Sequence, residues 1–215
     1  HVMNRFTSAI AATSFALLAA LFFSAQSVAA QDAADVDTSD IPEMVLGNPD
    51  AEVTVIEYAS FTCPHCATFH AGAFKDLKKD FIDTGKIKFV YREVFFDRQG
   101  LWAAIVARCG EGAENRYFGI ADMIYENQRA WARQEDNAAI VDSLRRFGKT
   151  AGLTDAQLDQ CFTDADTAQK LYARYLQQAG EDGVTSTPTF IIDGTRHSNM
   201  PYAEMADLIN AALGE

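Results

Sequence analysis

A strand that runs directly into a Cys-x-x-Cys pair at the head of a helix narrows what this chain can fold into more than any other feature. Residues 52–60, EVTVIEYAS, carry Val53, Val55 and Ile56 behind the turn-forming GNPDA, which predicts a buried strand. FTCPHCATFH follows at 61–70. Phe69, Ala73, Leu77 and Phe81 then recur at helical spacing, with Lys75, Asp76, Lys78, Lys79 and Asp80 between them. That pattern predicts one amphipathic helix beginning at or near Cys63 and ending before Gly85. KIKFVYREV, 86–94, alternates as a second strand, so the unit is β-α-β and should be parallel and right-handed.

From about Asp97 to Gly180 the apolar period becomes helical. Helices are expected over Gly100–Cys109, Asn115–Glu126, Asn137–Phe147, Asp155–Phe162 and Thr167–Ala179. Thr154 and Gln157 have capping-box spacing, each able to satisfy an amide of the other at the helix start. TPTFIIDG, 187–194, returns to strand and turns at Asp-Gly, and PYAEMADLINAAL closes the chain as an amphipathic helix. The expected fold is α/β: one domain in two parts, 43–96 and 181–215, with an all-helical domain, 97–180, inserted between them.

The first thirty residues differ from the rest. One basic residue, Arg5, precedes AIAATSFALLAALFF, and small residues lead to a polar stretch, the order of parts in a secretory signal peptide spanning 1–30. An uncleaved membrane anchor is the alternative. Residues 31–42, QDAADVDTSDIP, are small and acidic and are expected to form a flexible leader. The net charge of −12 excludes the clustered Lys and Arg of a phosphate-tracking surface, so nucleic acid is not an expected partner. Export changes the meaning of four cysteines, because thiols outside the cytoplasm are free to pair.

Three chemistries compete for the Cys-x-x-Cys. Zinc needs four ligands and the motif supplies two; a zinc site would have to be completed by His65 and His70, since no second Cys-x-x-Cys is present. A structural disulfide closing so short a loop contributes little stability. A redox centre fits better. The first sulfur sits where unpaired amides and the positive end of the helix dipole favour a thiolate. Pro64 suits the first helical turn, where its missing N–H has no partner, and His65 adds a donor or partial positive charge. Cys63 is therefore expected to be the exposed nucleophile and Cys66, one turn in, the buried resolving thiol.

VIEYASFTCPHC, with STPTF far downstream and helices between, resembles the DsbA family of bacterial periplasmic thiol–disulfide oxidoreductases over nearly the whole chain beyond residue 30. The resemblance implies a thioredoxin-like fold with an inserted helical domain, located in the periplasm. It implies that Cys63 forms the mixed disulfide, Cys66 resolves it and His65 stabilises the Cys63 thiolate. Pro188 resembles the family's cis-proline against the disulfide. Glu57 matches a buried acid that moves protons to and from the inner cysteine, and an inward direction would raise its pKa by desolvation. No cofactor beyond the Cys63–Cys66 disulfide is implied. The implied partners are folding exported polypeptides and a DsbB-like, quinone-linked membrane oxidase. A thiol pKa near 3.5 instead of ~8.5 favours the dithiol by roughly 5 kcal/mol at pH 7, about 100 mV for two electrons, and so makes the disulfide a strong oxidant.

Thr187 departs from the valine of the best-known oxidases in the family and also occurs in isomerases and reductases. A periplasmic reductase or isomerase kept reduced by a membrane donor is therefore the rival enzyme. The short leader leaves no room for an isomerase-type dimerisation domain, so a monomer is expected. A peptide-binding chaperone module with a structural disulfide is the rival outside enzymes. Cys109 and Cys161 lie at helix ends 52 residues apart, and in an oxidising compartment a second, structural disulfide is expected there, with buried free thiols as the alternative. Phe95, Phe96, Leu101 and Trp102 could line a groove for polypeptide or seal the two domains together. His70 and His197 have no partner that the sequence identifies.

Overall fold

A computed structural model describes residues 33–215. The signal segment expected over 1–30 lies outside the described residues. Five strands form one sheet: β1 Met44–Gly47, β2 Val53–Ala59, β3 Ile87–Glu93, β4 Thr189–Ile192 and β5 Thr195–Ser198. Their spatial order is β1-β3-β2-β4-β5. β2 and β3 are parallel, as the β-α-β pattern requires, with Glu57 opposite Tyr91 and Ala59 opposite Glu93. The other three pairings are antiparallel. β1 carries too few residues to show a period, and its place beside β3 was not legible in the sequence.

The expected helix between β2 and β3 is broken into three. α1, Pro64–Ala71, ends at Gly72, whose φ of −127° and ψ of −92° leave the helical region. α2, Ala73–Leu77, starts anew and passes into a π-helical turn, Lys78–Ile82. On either side of the break Phe69, Phe74, Leu77 and Phe81 are each buried in the core.

Six helices separate β3 from β4: α3 Arg98–Ala107, α4 Ala113–Glu126, α5 Gln128–Trp131, α6 Asn137–Thr150, α7 Asp155–Thr163 and α8 Ala165–Glu181. α9, Tyr202–Leu213, closes the chain. Side chains cap four of the six: Asp97 accepts from the Gly100 amide, Asp136 from Ala138, Asp164 from Thr167, and Thr154 with Gln157 forms the complete capping box. Cys109 and Cys161 are disulfide-bonded, tying the end of α3 to α7. Gly148 lets α6 approach its neighbours closely, since a Cβ there would lie 2.9 Å from a Leu158 methyl and 3.2 Å from one of Val106.

The leader differs from its expected flexibility. From Ala33 onward it is strapped along α8: Gln177 Nε2 donates to the carbonyls of Ala33 and Val36 at 2.8 and 3.0 Å, and Thr38 Oγ1 donates to Gln177 Oε1 at 3.0 Å. Lys170 pairs with Asp40 and Arg174 with Glu43, each at 2.7 Å. Asp40 and Glu43 thus have basic partners on one helix face, and Ile41 enters the core.

Candidate active site

β2 delivers its last residues to a turn, Ser60–Thr62, from which α1 begins. Cys63 is the N-cap of α1, with extended backbone angles of −80° and 119° and Pro64 inside the first turn. Its sulfur is half-buried, whereas Cys66, one turn on, is fully buried; both are free thiols. The loop before β4 lies against this pair. Its Thr187–Pro188 bond is cis, and the Cys63 thiol donates to the Thr187 carbonyl oxygen at 3.6 Å.

The two thiols are electrostatically unlike. Cys63 is lowered from its ordinary 9.0 to about 5, mainly because the Cys66 thiol donates to its sulfur; burial opposes this, and the Thr187 side chain and the backbone amides of Cys66 and His65 lower it further. Burial pushes the Cys66 thiol far up, helped by the hydrogen bond it gives to Cys63 and by the charge of Glu57. The His65 amide lies among the groups that lower Cys63, and its imidazole is exposed beside them.

The turn is held from the helical insert. Gln128, buried at the start of α5, donates from Nε2 to the carbonyls of Phe61 and Cys63 at 2.8 and 2.9 Å. Thr62 Oγ1 donates to Asp97 Oδ2 at 2.7 Å, and the other Asp97 oxygen caps α3. Beside α1 a groove of about 800 Å³ opens, with Pro64, Thr68, Asp97, Gln99 and Arg129 on its walls. The aromatic run after β3 divides: Phe95 is buried against Tyr175, Leu101 and Trp102 are half-buried against the core, and Phe96 is 57% exposed.

Behind Cys66, Glu57 is completely buried, pointing inward from β2. Its partner is His70, which the sequence had left without one: Nε2 lies 2.9 and 3.2 Å from the two carboxylate oxygens. The imidazole is stacked on Tyr125, centroids 4.3 Å apart and planes 17° from parallel, and Tyr91 meets it edge-on at 5.9 Å. The Tyr91 and Tyr125 hydroxyls are 2.6 Å apart, and burial raises both well above the ordinary range, so they stay protonated. Cys66 and His70 are four apart on one helix, a spacing that places them on one face. That is the signal by which His70 could have been found. Gln128 carries no such signal, because its partners are main-chain atoms over sixty residues away. Among the described residues no cluster of three or more His, Cys, Asp or Glu is placed to hold a metal, and no helix is long and apolar enough to cross a membrane.

Residues 39–211 match the family model described as Thioredoxin. A Rickettsia bellii protein, whose name provisionally assigns it protein-disulfide oxidoreductase activity, is 32% identical over 173 residues, 80% of this chain and 65% of its own. A Rickettsia felis protein of the same name is 34% identical over 61% of its length, so this chain spans somewhat under two thirds of these relatives. Among solved structures, alpha-DsbA1 of Wolbachia pipientis superposes with a TM-score of 0.73 at 27% identity, covering 81% of this chain and 92% of that one. A protein-disulfide isomerase of Novosphingobium aromaticivorans gives 0.70 at 26%, covering 80% and 98%. The match over 39–211, the Cys-Pro-His-Cys at the head of α1 and the helical insert before β4 agree: the chain belongs to the thioredoxin family and has the fold of its DsbA-type members.

Proposed function

We propose that the protein is an exported, periplasmic thiol–disulfide oxidoreductase that donates its Cys63–Cys66 disulfide to folding polypeptides. The observation that carries this is the contrast between the two thiols: a half-buried Cys63 lowered to about 5 beside a buried Cys66 pushed far up. A sulfur that is stable as a thiolate leaves readily and favours the dithiol, so the disulfide form is oxidising.

A substrate thiolate attacks Cys63 Sγ. The Cys63–Cys66 bond breaks, its electron pair passes to Cys66, and Cys66 takes up a proton. A second substrate thiolate then attacks the substrate sulfur of the mixed disulfide and releases Cys63 as the thiolate. Electrons leave the dithiol afterwards to a membrane quinone-linked, DsbB-like oxidase. The cis Thr187–Pro188 segment offers main-chain groups beside Cys63 for an extended substrate segment.

Thr187 favours a second reading, in which the pair is kept reduced and breaks or reshuffles disulfides, since its side chain acts directly on Cys63. Equilibration of the Cys63–Cys66 pair with glutathione separates the two. A potential well above the thioredoxin value of about −270 mV is expected. A value near it sinks the oxidase and promotes the reductase. With Cys66→Ser, a peptide carrying an activated disulfide should accumulate as an adduct on Cys63; a variant that forms none has no attacking sulfur at that position.

A further inference from the structure

The buried half of the reaction has a proton problem that Glu57 cannot solve alone, because Glu57 is itself sealed from solvent. Each turnover delivers one proton to Cys66 and later removes one. Among the described residues Glu57 has one titratable hydrogen-bond partner, His70, through its Nε2. The other ring nitrogen, Nδ1, is buried and has no hydrogen-bond partner among the described residues. His70 lines a cavity of about 90 Å³ between α1 and α4. Its rim carries Lys75, Lys78, Asp122 and Glu126, three of which are exposed, so the cavity leads to the surface. It is large enough for several waters. The remaining titratable groups against the ring are the Tyr91 and Tyr125 hydroxyls, which burial keeps protonated.

We infer that His70 is the proton relay between Glu57 and solvent, with Nε2 serving the carboxylate and Nδ1 serving water in the α1–α4 cavity. The inference rests on the redox function proposed above. When the disulfide is spent, Glu57 gives its proton to the Cys66 thiolate, Nε2 passes its own proton to Glu57, and Nδ1 takes one from water. When the disulfide is restored the steps run backwards: Nδ1 releases a proton to water, Nε2 recovers its proton from Glu57, and the carboxylate takes the Cys66 proton as that sulfur attacks. The ring changes tautomer in one half-reaction and regains it in the other, so no proton is left over.

The test is stopped-flow oxidation of a peptide dithiol by the oxidised protein between pH 5 and 9. His70→Gln keeps an N–H toward Glu57 and cannot pass a proton on; His70→Ala opens room for added imidazole; Ala71→Leu narrows the exposed side of the cavity and leaves the Glu57–His70 pair intact. His70→Gln should be slowed at least about tenfold with an altered pH profile. Imidazole should accelerate His70→Ala in proportion to its concentration, and Ala71→Leu should be slowed less than either. Wild-type rate and pH profile in His70→Gln overturn the relay, as does a loss in His70→Ala that is equal at every pH and unmoved by imidazole. A wild-type protein that fails to oxidise the peptide overturns the proposed function itself, which distinguishes that failure from the relay's.

Discussion

Two buried carboxylates stand two register positions apart on neighbouring parallel strands, and the fold treats them in opposite ways. Glu57 lies opposite Tyr91 and Glu93 opposite Ala59, so by the pleat both side chains leave the same face of the sheet. Glu93 is clamped. Arg108 meets it with two hydrogen bonds, Nε at 2.6 Å and Nη2 at 2.9 Å, and the Tyr117 hydroxyl donates at 2.6 Å. Burial alone would raise its pKa, but the Arg108 charge and these hydrogen bonds outweigh burial and hold it below the ordinary range. Among the described residues Glu57 has no Lys or Arg against it, only the imidazole of His70. A carboxylate with a fixed countercharge becomes structure, and one with a titratable partner stays available for chemistry.

The comparison breaks most visibly at Glu93. Glu93→Gln strands the buried Arg108 charge and should cost about 3–5 kcal/mol in urea unfolding of the reduced protein, with Cys63 alkylation unaltered. Glu57→Gln should lower stability by under about 2 kcal/mol, because an amide still serves His70, while slowing oxidation of a peptide dithiol. If both variants lose stability equally, the two acids do not differ in kind.

Removing the neighbouring staple sharpens the same contrast. Arg108 precedes Cys109, whose bond to Cys161 closes a 52-residue separation. The Cys109→Ala/Cys161→Ala pair should lose about 2–4 kcal/mol, and should do so less than additively with Glu93→Gln, since both hold the end of α3.

Next in size is Gln128→Leu, which removes the side-chain donor to the Phe61 carbonyl and leaves the Cys63 carbonyl only the Ala67 amide, and should cost about 1–3 kcal/mol by chemical denaturation. Smallest are the effects on the thiol itself. Iodoacetamide labelling of Cys63 should titrate with a midpoint near pH 5. The thiol is lowered on folding, so its contribution to the stability of the reduced form is complete above about pH 9 and falls away as pH drops toward 5. Thr187→Val removes one of the lowering groups and should move the midpoint up, whereas His65→Ala keeps the amide and should move it little.

How much of this was legible depended on distance along the chain. Val53, Val55 and Ile56, the Cys63–Cys66 spacing and the Thr154–Gln157 box are local patterns, and each names its own element. The short β1 is defined only by its pairing with β3, and α5 is a single turn, so neither had a period to read. The break at Gly72 went against the single helix expected there, because glycine is tolerated within a helix as well as at its end and the apolar period runs on across it. His70 and Glu57 are thirteen residues apart on different elements, and Glu93, Arg108 and Tyr117 come from three. Such groups find one another only after the β-α-β unit has closed, which no single-segment pattern encodes.

The strap formed by residues 33–43 sets a schedule for folding. Its partners Lys170, Arg174 and Gln177 lie 130 to 144 residues downstream. A chain that emerges with its N-terminus first must therefore hold this segment unpaired until nearly all the helical insert has followed, and only then can it be laid against α8. The earliest residues of the described structure are among the last to reach their places, so Asp40 and Glu43 act as a latch on a completed molecule and not as a nucleus from which it grows.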